Sequence, residues 1–258
     1  MKSELSEKQI EADIATYFGW ISPIGSSSPF LLSDVDEQVY GADKKFDMVI
    51  PIYMQFKVSH GLTNFKNFTS PFSIELPLQR IRAFRHRKNL FDSPSLYFKL
   101  HAKSKTALDY QHNILMKFAN TSHSYAFYVA PLTLYKNIYE NLLFNSAHRY
   151  LHYPFLKNDV NIIHEENWTS YFGLIPFLRG HISIVPHEHI CTHHHYYSFS
   201  PNGTDIAWHS GKIISNHANR LSDMLKIIFS SSFSNPEKWI SITDYISKIK
   251  NIKEFNFL

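Results

Sequence analysis

The chain has 258 residues, 44% of them hydrophobic and 19% charged, which is typical of a folded globular protein and excludes bulk disorder. Its formal net charge of +4 is compatible with a polyanionic partner but does not require one. Its one cysteine, Cys191, excludes an intrachain disulfide, and no apolar run reaches the roughly 18 residues of a membrane span. The first residues lack the apolar core of a signal peptide, so we expect a cytoplasmic protein that is not inserted in a membrane.

The first predicted element is a helix from Glu7 to about Phe18. Ser6 and Gln9 form a capping-box pattern at its start. Its inward stripe consists of Ile10, Ile14, Tyr17 and Phe18. Glu7 and Glu11 flank this stripe, so they either complement the positive end of the helix dipole or serve a site on that side.

Residues 41–59 predict two short strands joined by a tight turn near Pro51. Because side chains alternate along a strand, Tyr53, Gln55 and Lys57 share one face. The opposite face is apolar and consists of Met54, Phe56 and Val58. One face of the second strand is therefore suited to packing, and the other carries polar groups.

Asp47 opens the first of these strands and can meet Gln55 and Lys57 across the hairpin. Carboxylate and amide oxygens are ligands that Mg²⁺ takes in proteins, and Mn²⁺ accepts similar ligands. An ammonium beside such a metal can orient an attacking water or stabilise charge on a phosphoryl oxygen. Asp43, in the turn ahead of the same strand, is the alternative carboxylate.

Asp47 followed by Gln55-Phe56-Lys57 resembles the active-site signature of the PD-(D/E)xK nuclease superfamily, in the variant where Gln replaces the second acid. Phe46 stands where that superfamily usually has a proline. The resemblance implies a restriction-endonuclease-like core made of a helix, a three-stranded meander, a helix and a further strand. It also implies metal-dependent DNA cleavage, often in restriction, repair or anti-phage defence. The first helix of the superfamily often supplies an acid to the metal, which here implies Glu11, with Glu7 as second choice.

The next predicted element is a short helix from Leu78 to Asn89, within an insertion at about 60–95. It carries the densest positive charge of the chain, contributed by Arg80, Arg82, Arg85, His86, Arg87 and Lys88. Arginine binds phosphate oxygens in pairs through its planar fork. We therefore predict that this helix contacts a nucleic-acid backbone, although a solvated basic face is the alternative.

Further elements are predicted in an order that agrees with the superfamily core. They are a strand-like piece within 20–40, a strand at 96–101, a helix at 106–119 and a buried strand at 125–130. We predict an α/β (α+β) fold with a mixed central sheet flanked by helices in residues 1–132. Residues 133–258 are expected to form a mixed, β-rich extension packed on that core, with helices at 134–144, 219–229 and 236–249 and a hairpin at 196–199 and 206–208.

A histidine-rich stretch occupies residues 187–195. Its odd positions are His187, His189, Cys191, His193 and His195, which an extended strand would place on one face. Imidazole and thiolate groups bind zinc, so His187, His189 and Cys191 form a candidate zinc site. A row of five ligands cannot share one ion, because the strand rise separates its ends by more than about 20 Å. The alternative is a polar, pH-sensitive face that contacts nucleic acid or a protein partner.

Three functions follow from these patterns. The first is a metal-dependent endonuclease in a prokaryotic anti-phage or mobile-element setting. We expect DNA rather than RNA as its substrate, because most members of the resembled superfamily cut DNA. The second is an inactive nuclease-fold subunit that binds nucleic acid or assembles with a protein partner or with itself, because Gln55 brings no negative charge. The third is a zinc-binding protein built around the histidine-rich stretch.

Overall fold

The computed structural model describes residues 1–21, 30–31, 44–47, 51–63, 76–90, 93–105, 107–119, 124–151, 175–208, 212–215 and 220–233. The described helices are α1 (Glu7–Ile21), α2 (Leu76–Arg87), α3 (Gln111–Ala119), α4 (Lys136–Leu151), α5 (Pro176–Arg179) and α6 (Leu221–Phe233). The described strands are β1 (Phe30–Leu31), β2 (Lys44–Asp47), β3 (Pro51–Phe56), β4 (His60–Leu62), β5 (Ser95–Lys99), β6 (Tyr125–Pro131), β7 (His181–Ile184), β8 (Tyr196–Phe199), β9 (Ile206–Trp208) and β10 (Lys212–Ser215). Together they form a mixed α/β structure, which agrees with the predicted class.

The first sheet is mixed, with the strand order β1-β2-β3-β6-β7. Strands β1, β2 and β3 form an antiparallel meander, and β6 runs parallel to β3 with Gln55 beside Tyr128. The antiparallel β7 closes the described edge. Parallel pairing of β3 and β6 needs a crossover, and this crossover contains β4, α2, β5 and α3.

The second sheet is antiparallel, with the strand order β10-β9-β8-β5-β4. The chain enters it directly from β3, because only residues 57–59 separate β3 from β4. The sequence predicts two ranges, 1–132 and 133–258. Each sheet contains strands from both ranges, because β7 pairs with β6 and β8 pairs with β5.

Two apolar cores hold these layers together. The helix-side core covers one face of the first sheet and includes side chains from α1, β3, β6, α4, α5 and α6. The inter-sheet core lies between the two sheets and is rich in aromatic rings, among them Phe98, Tyr128, Tyr197, Phe199 and Trp208. Helix α2 packs on the second sheet through a smaller cluster that contains Leu62, Ile81 and Tyr196.

Several predicted elements are confirmed. The Ser6 hydroxyl accepts a hydrogen bond from the Gln9 backbone N–H at 3.1 Å, and the predicted apolar stripe of α1 is buried. The hairpin at 196–199 and 206–208 occurs with the predicted bounds as β8 and β9. The polar and apolar faces of β3 are also as predicted, because Met54 and Phe56 lie in the helix-side core and Tyr53 lies in the inter-sheet core.

Other predicted elements differ in their bounds. Pro51 is the first residue of β3 rather than part of the turn, a position that proline tolerates because it has no N–H to donate. Helix α3 begins at Gln111 instead of residue 106. Just before this start, the Asp109 carboxylate accepts hydrogen bonds from the Tyr110 backbone N–H and the Asn113 side chain. The predicted helix at 236–249 lies outside the described residues. None of the described helices is both long enough and apolar enough to span a bilayer.

Candidate functional site

The end of β3 carries the polar residues of the predicted signature. Tyr53 lies in the inter-sheet core, so alternation along the strand directs Gln55 toward the same side. Lys57 follows the strand and its backbone N–H still bonds to the Val129 carbonyl of the neighbouring strand at 2.9 Å. Gln55 is 1% exposed and Lys57 is 3% exposed. Two strongly polar side chains are therefore buried at the point where the chain leaves the first sheet.

The Lys57 ammonium is held by two side chains from different parts of the chain. Its Nζ lies 2.7 Å from Glu7 Oε1, in the first turn of α1, and 3.4 Å from His101 Nε2, which follows β5. Glu7 Oε2 lies 3.9 Å from His101 Nε2, so the three groups contact one another. The Glu7 and His101 side chains are partly exposed, so the buried Lys57 ammonium contacts groups that reach the protein surface.

The charge of Lys57 changes the acid–base behaviour of His101. The nearby ammonium lowers the pKa of the imidazole, burial lowers this pKa further, and the Glu7 carboxylate partly opposes both effects. The neutral imidazole is favoured as a result, and a neutral imidazole offers one ring nitrogen as a hydrogen-bond acceptor. His101 can therefore accept a hydrogen bond from Lys57 instead of repelling it.

The Gln55 amide is the unusual group of this site. Neither its oxygen nor its nitrogen has a hydrogen-bond partner among the residues that the structure describes, although both atoms are buried. A buried amide without partners destabilises a fold by about 1–3 kcal/mol, and such groups are uncommon in native proteins. The unpaired oxygen is the kind of donor that a hard divalent cation accepts, so this residue fits the metal that the signature implies.

The remaining predicted metal ligands are less fully described. Asp47 ends β2 instead of opening a strand as predicted, and its backbone pairs with Pro51, four residues before Gln55. This register separates Asp47 from Gln55 by roughly 13 Å along the strand, so the two residues do not meet across the hairpin as expected. Asp43 lies outside the described residues. Glu11 is half-buried on α1, one turn beyond Glu7. Within the described ranges no three His, Cys, Asp or Glu side chains are grouped so that they could hold a metal ion.

The structure brings Glu7, the second choice on the first helix, to Lys57. His101 was not identified from the sequence as a site residue. It ends a predicted strand without any motif, and it lies 44 positions from Lys57. The alternating pattern of β5 is the one sequence signal near His101. It predicts the strand but not which residues lie next to His101 in the fold.

The predicted basic helix is present as α2, but its arginines have different surroundings. Arg85 is buried and donates to Asp205 Oδ1 at 2.7 Å and to Ser95 Oγ at 3.0 Å, so it joins α2 to the second sheet. Arg82 donates to the Thr63 carbonyl at 2.9 Å. The cationic side chains that are exposed on this helix and just after it are Arg80, Arg87 and Lys88.

The histidine-rich stretch is not an extended strand that would place its odd positions on one face, because residues 187–195 lie in the irregular connection between β7 and β8. His195 stacks on Trp208 with ring centroids 5.0 Å apart, and His187 meets the same indole edge-on at 5.2 Å. His189 instead approaches Asp109, while Cys191 is exposed. Apolar packing of the rings, rather than strand alternation, sets the orientation of this stretch.

Beneath this connection lies His112, which bonds to the Tyr128 hydroxyl at 3.0 Å and to the Glu188 carbonyl at 2.9 Å. Burial lowers the pKa of His112 to about 4, and the neighbouring histidines lower it in the same direction. This imidazole is thus neutral near pH 7 and serves to anchor the histidine-rich connection to β6.

Comparison of the chain with models of protein families, with curated proteins and with solved structures finds no match.

Replacing Gln55 by Met tests whether the amide is truly without a partner. The two side chains have similar length, and Met removes both polar atoms, so we expect the free energy of unfolding to rise by about 1–3 kcal/mol. Urea denaturation measures the change. Gln9→Met is the control at an exposed glutamine, where the change removes only an exposed hydrogen bond to Asp13 Oδ1 and should alter stability little. A clear loss of stability in Gln55→Met would mean that the amide has a partner.

Replacing Arg85 by Ala tests its structural role. The change leaves the Asp205 carboxylate without its cation in a mostly buried position. We expect a loss of about 3–5 kcal/mol in the free energy of unfolding, because breaking a buried pair leaves an uncompensated charge. Arg87→Ala, on the exposed side of the same helix, should leave stability nearly unchanged. Equal effects of the two substitutions would contradict this assignment.

Proposed function

We propose that the chain is a metal-dependent nuclease that cuts phosphodiester bonds, with DNA as its substrate. The observation that carries this proposal is the end of β3. There a buried Gln55 amide has no partner among the described residues, two positions before a buried Lys57 whose ammonium is held by Glu7. Burial of both groups has a cost in stability, and a ligand that pairs with them would offset it.

The residues suggest a division of roles. Gln55 would hold Mg²⁺ or Mn²⁺ together with a carboxylate, for which Asp43 and Glu11 are the candidates. A divalent cation bound there would polarise the phosphoryl oxygen and activate a water. Lys57 would stabilise the charge that develops on the phosphoryl group, because a fixed ammonium in a buried site needs little reorganisation. Glu7 keeps this ammonium in place.

The order of elements supports the same proposal. The PD-(D/E)xK resemblance implies a helix, a three-stranded meander, a helix and a further strand. The corresponding described elements are α1, the meander β1-β2-β3, α3 and β6, which runs parallel to β3. Strands β4 and β5 of the second sheet and α2 occupy the place of an insertion between the meander and α3. Helix α2 offers the exposed cations Arg80, Arg87 and Lys88 as contacts for the phosphate backbone.

An inactive nuclease-fold subunit is the second candidate, because Gln55 contributes no negative charge and so binds a divalent cation more weakly than a carboxylate would. Such a protein would bind DNA or a partner without cutting. It shares the fold and the basic helix with the first candidate. The two candidates therefore differ in metal-dependent cleavage, which can be measured directly.

Cleavage of plasmid and single-stranded DNA in Mg²⁺ or Mn²⁺ tests the proposal. We expect the unmodified chain to cut, and Lys57→Ala and Gln55→Met to lose at least about 100-fold in rate, as removal of an electrostatic stabiliser does in other enzymes. Lys136→Ala is the control for loss of a lysine, because Lys136 Nζ is exposed and pairs only weakly, at 3.5 Å, with Glu140.

Circular dichroism of each variant establishes that the fold is retained. Metal-dependent cutting by the unmodified chain and by Lys136→Ala, lost in both site variants, supports the nuclease. Intact DNA in every reaction, together with DNA binding that depends on the α2 cations, favours the inactive subunit instead.

A further inference from the structure

The Lys57 ammonium has three N–H donors, and two of them have identified directions. One donates to Glu7 Oε1 at 2.7 Å, and a second points toward His101 Nε2 at 3.4 Å. A lysine side chain has four flexible bonds, so a single partner leaves its ammonium free to turn. Two partners at fixed positions set the direction of the third N–H.

We infer that His101 is a positioning residue for Lys57, which accepts a hydrogen bond from the ammonium and thereby leaves its third N–H for a phosphoryl oxygen of the substrate. This inference deepens the proposed nuclease function and rests on it. The effect of His101 on the ammonium can nevertheless be measured without any cleavage. His101 acts through Lys57 and is not itself assigned a contact with the substrate.

The surroundings of His101 favour this role. The preceding residue, Leu100, is buried, and its backbone N–H donates to the His195 carbonyl at 3.0 Å, which anchors the segment after β5. Among the described residues, the ionisable groups that act on the imidazole are Lys57 and Glu7, and the effect of Lys57 on its pKa is the larger. The imidazole therefore favours its neutral form, in which Nε2 is an acceptor when Nδ1 carries the proton.

Glu7 makes a separate contact with the ammonium. Its Oε1 already accepts from Lys57, and its Oε2 lies 3.9 Å from the imidazole. With His101 absent, the ammonium keeps its ion pair with Glu7 but can rotate about it. The ion pair with Glu7 thus neutralises the Lys57 charge, while the His101 imidazole sets the orientation of the ammonium.

The test compares His101→Gln, which keeps a hydrogen-bond acceptor, with His101→Phe, which keeps a ring but has none. We expect His101→Phe to lower kcat for DNA cleavage about tenfold with little change in KM, since about one hydrogen bond is lost. We expect His101→Gln to retain most of the rate. His194→Phe, at an exposed histidine in the connection between β7 and β8, is the matched control.

A second measurement is independent of cleavage. The ¹⁵N signal of the Lys57 ammonium, identified by its loss in Lys57→Met, should be sharp in the unmodified chain and in His101→Gln. It should broaden in His101→Phe as the ammonium becomes mobile. Equal signals and equal rates in all three proteins would overturn the inference, and so would equal impairment of both His101 variants. If the unmodified chain does not cut DNA, the nuclease proposal fails, and the ammonium signal still decides whether His101 positions Lys57.

Discussion

A buried ammonium at the junction of two sheets is the constraint on which the rest of the structure depends. The chain leaves the first sheet after Phe56 and enters the second at His60, and Lys57 lies in the short link between them. An unpaired charge there would cost several kcal/mol, so the fold must bring an anion to it. Helix α1 supplies that anion through Glu7, which fixes the start of the helix against the end of β3. The ion pair thus joins the first helix, the first sheet and the link to the second sheet.

The same region combines a satisfied charge with an unsatisfied amide. Lys57 has two partners, whereas Gln55, two positions earlier, has none among the described residues. A buried amide without partners has a cost in stability. Arg85 gives a useful contrast, because it is equally buried but fully engaged by Asp205 and Ser95. Burial alone therefore does not distinguish Gln55 from Arg85, whereas hydrogen bonding among the described residues does.

Local patterns in the sequence predicted the elements well. The capping residues and apolar stripe of α1 act within a few positions, and so does the Pro201-Asn202-Gly203 turn between β8 and β9, where Gly203 has φ +67°. The contacts of the site are different, because Glu7 and Lys57 are 50 positions apart and Arg85 and Asp205 are 120 apart. No periodicity encodes such pairs. Composition likewise predicted a basic helix but could not distinguish the buried Arg85 from the exposed Arg87. The alternating histidines do not form a strand, because two of their rings pack on Trp208.

The most direct test of the account is the position of a bound metal. Crystals of the unmodified chain grown with Mn²⁺ would give an anomalous signal at each manganese ion. We predict a peak within about 2.5 Å of the Gln55 amide oxygen, with a carboxylate oxygen at a similar distance. Manganese bound elsewhere, for example in the histidine-rich connection, with the Gln55 amide still unpaired or bonded to protein, would contradict it.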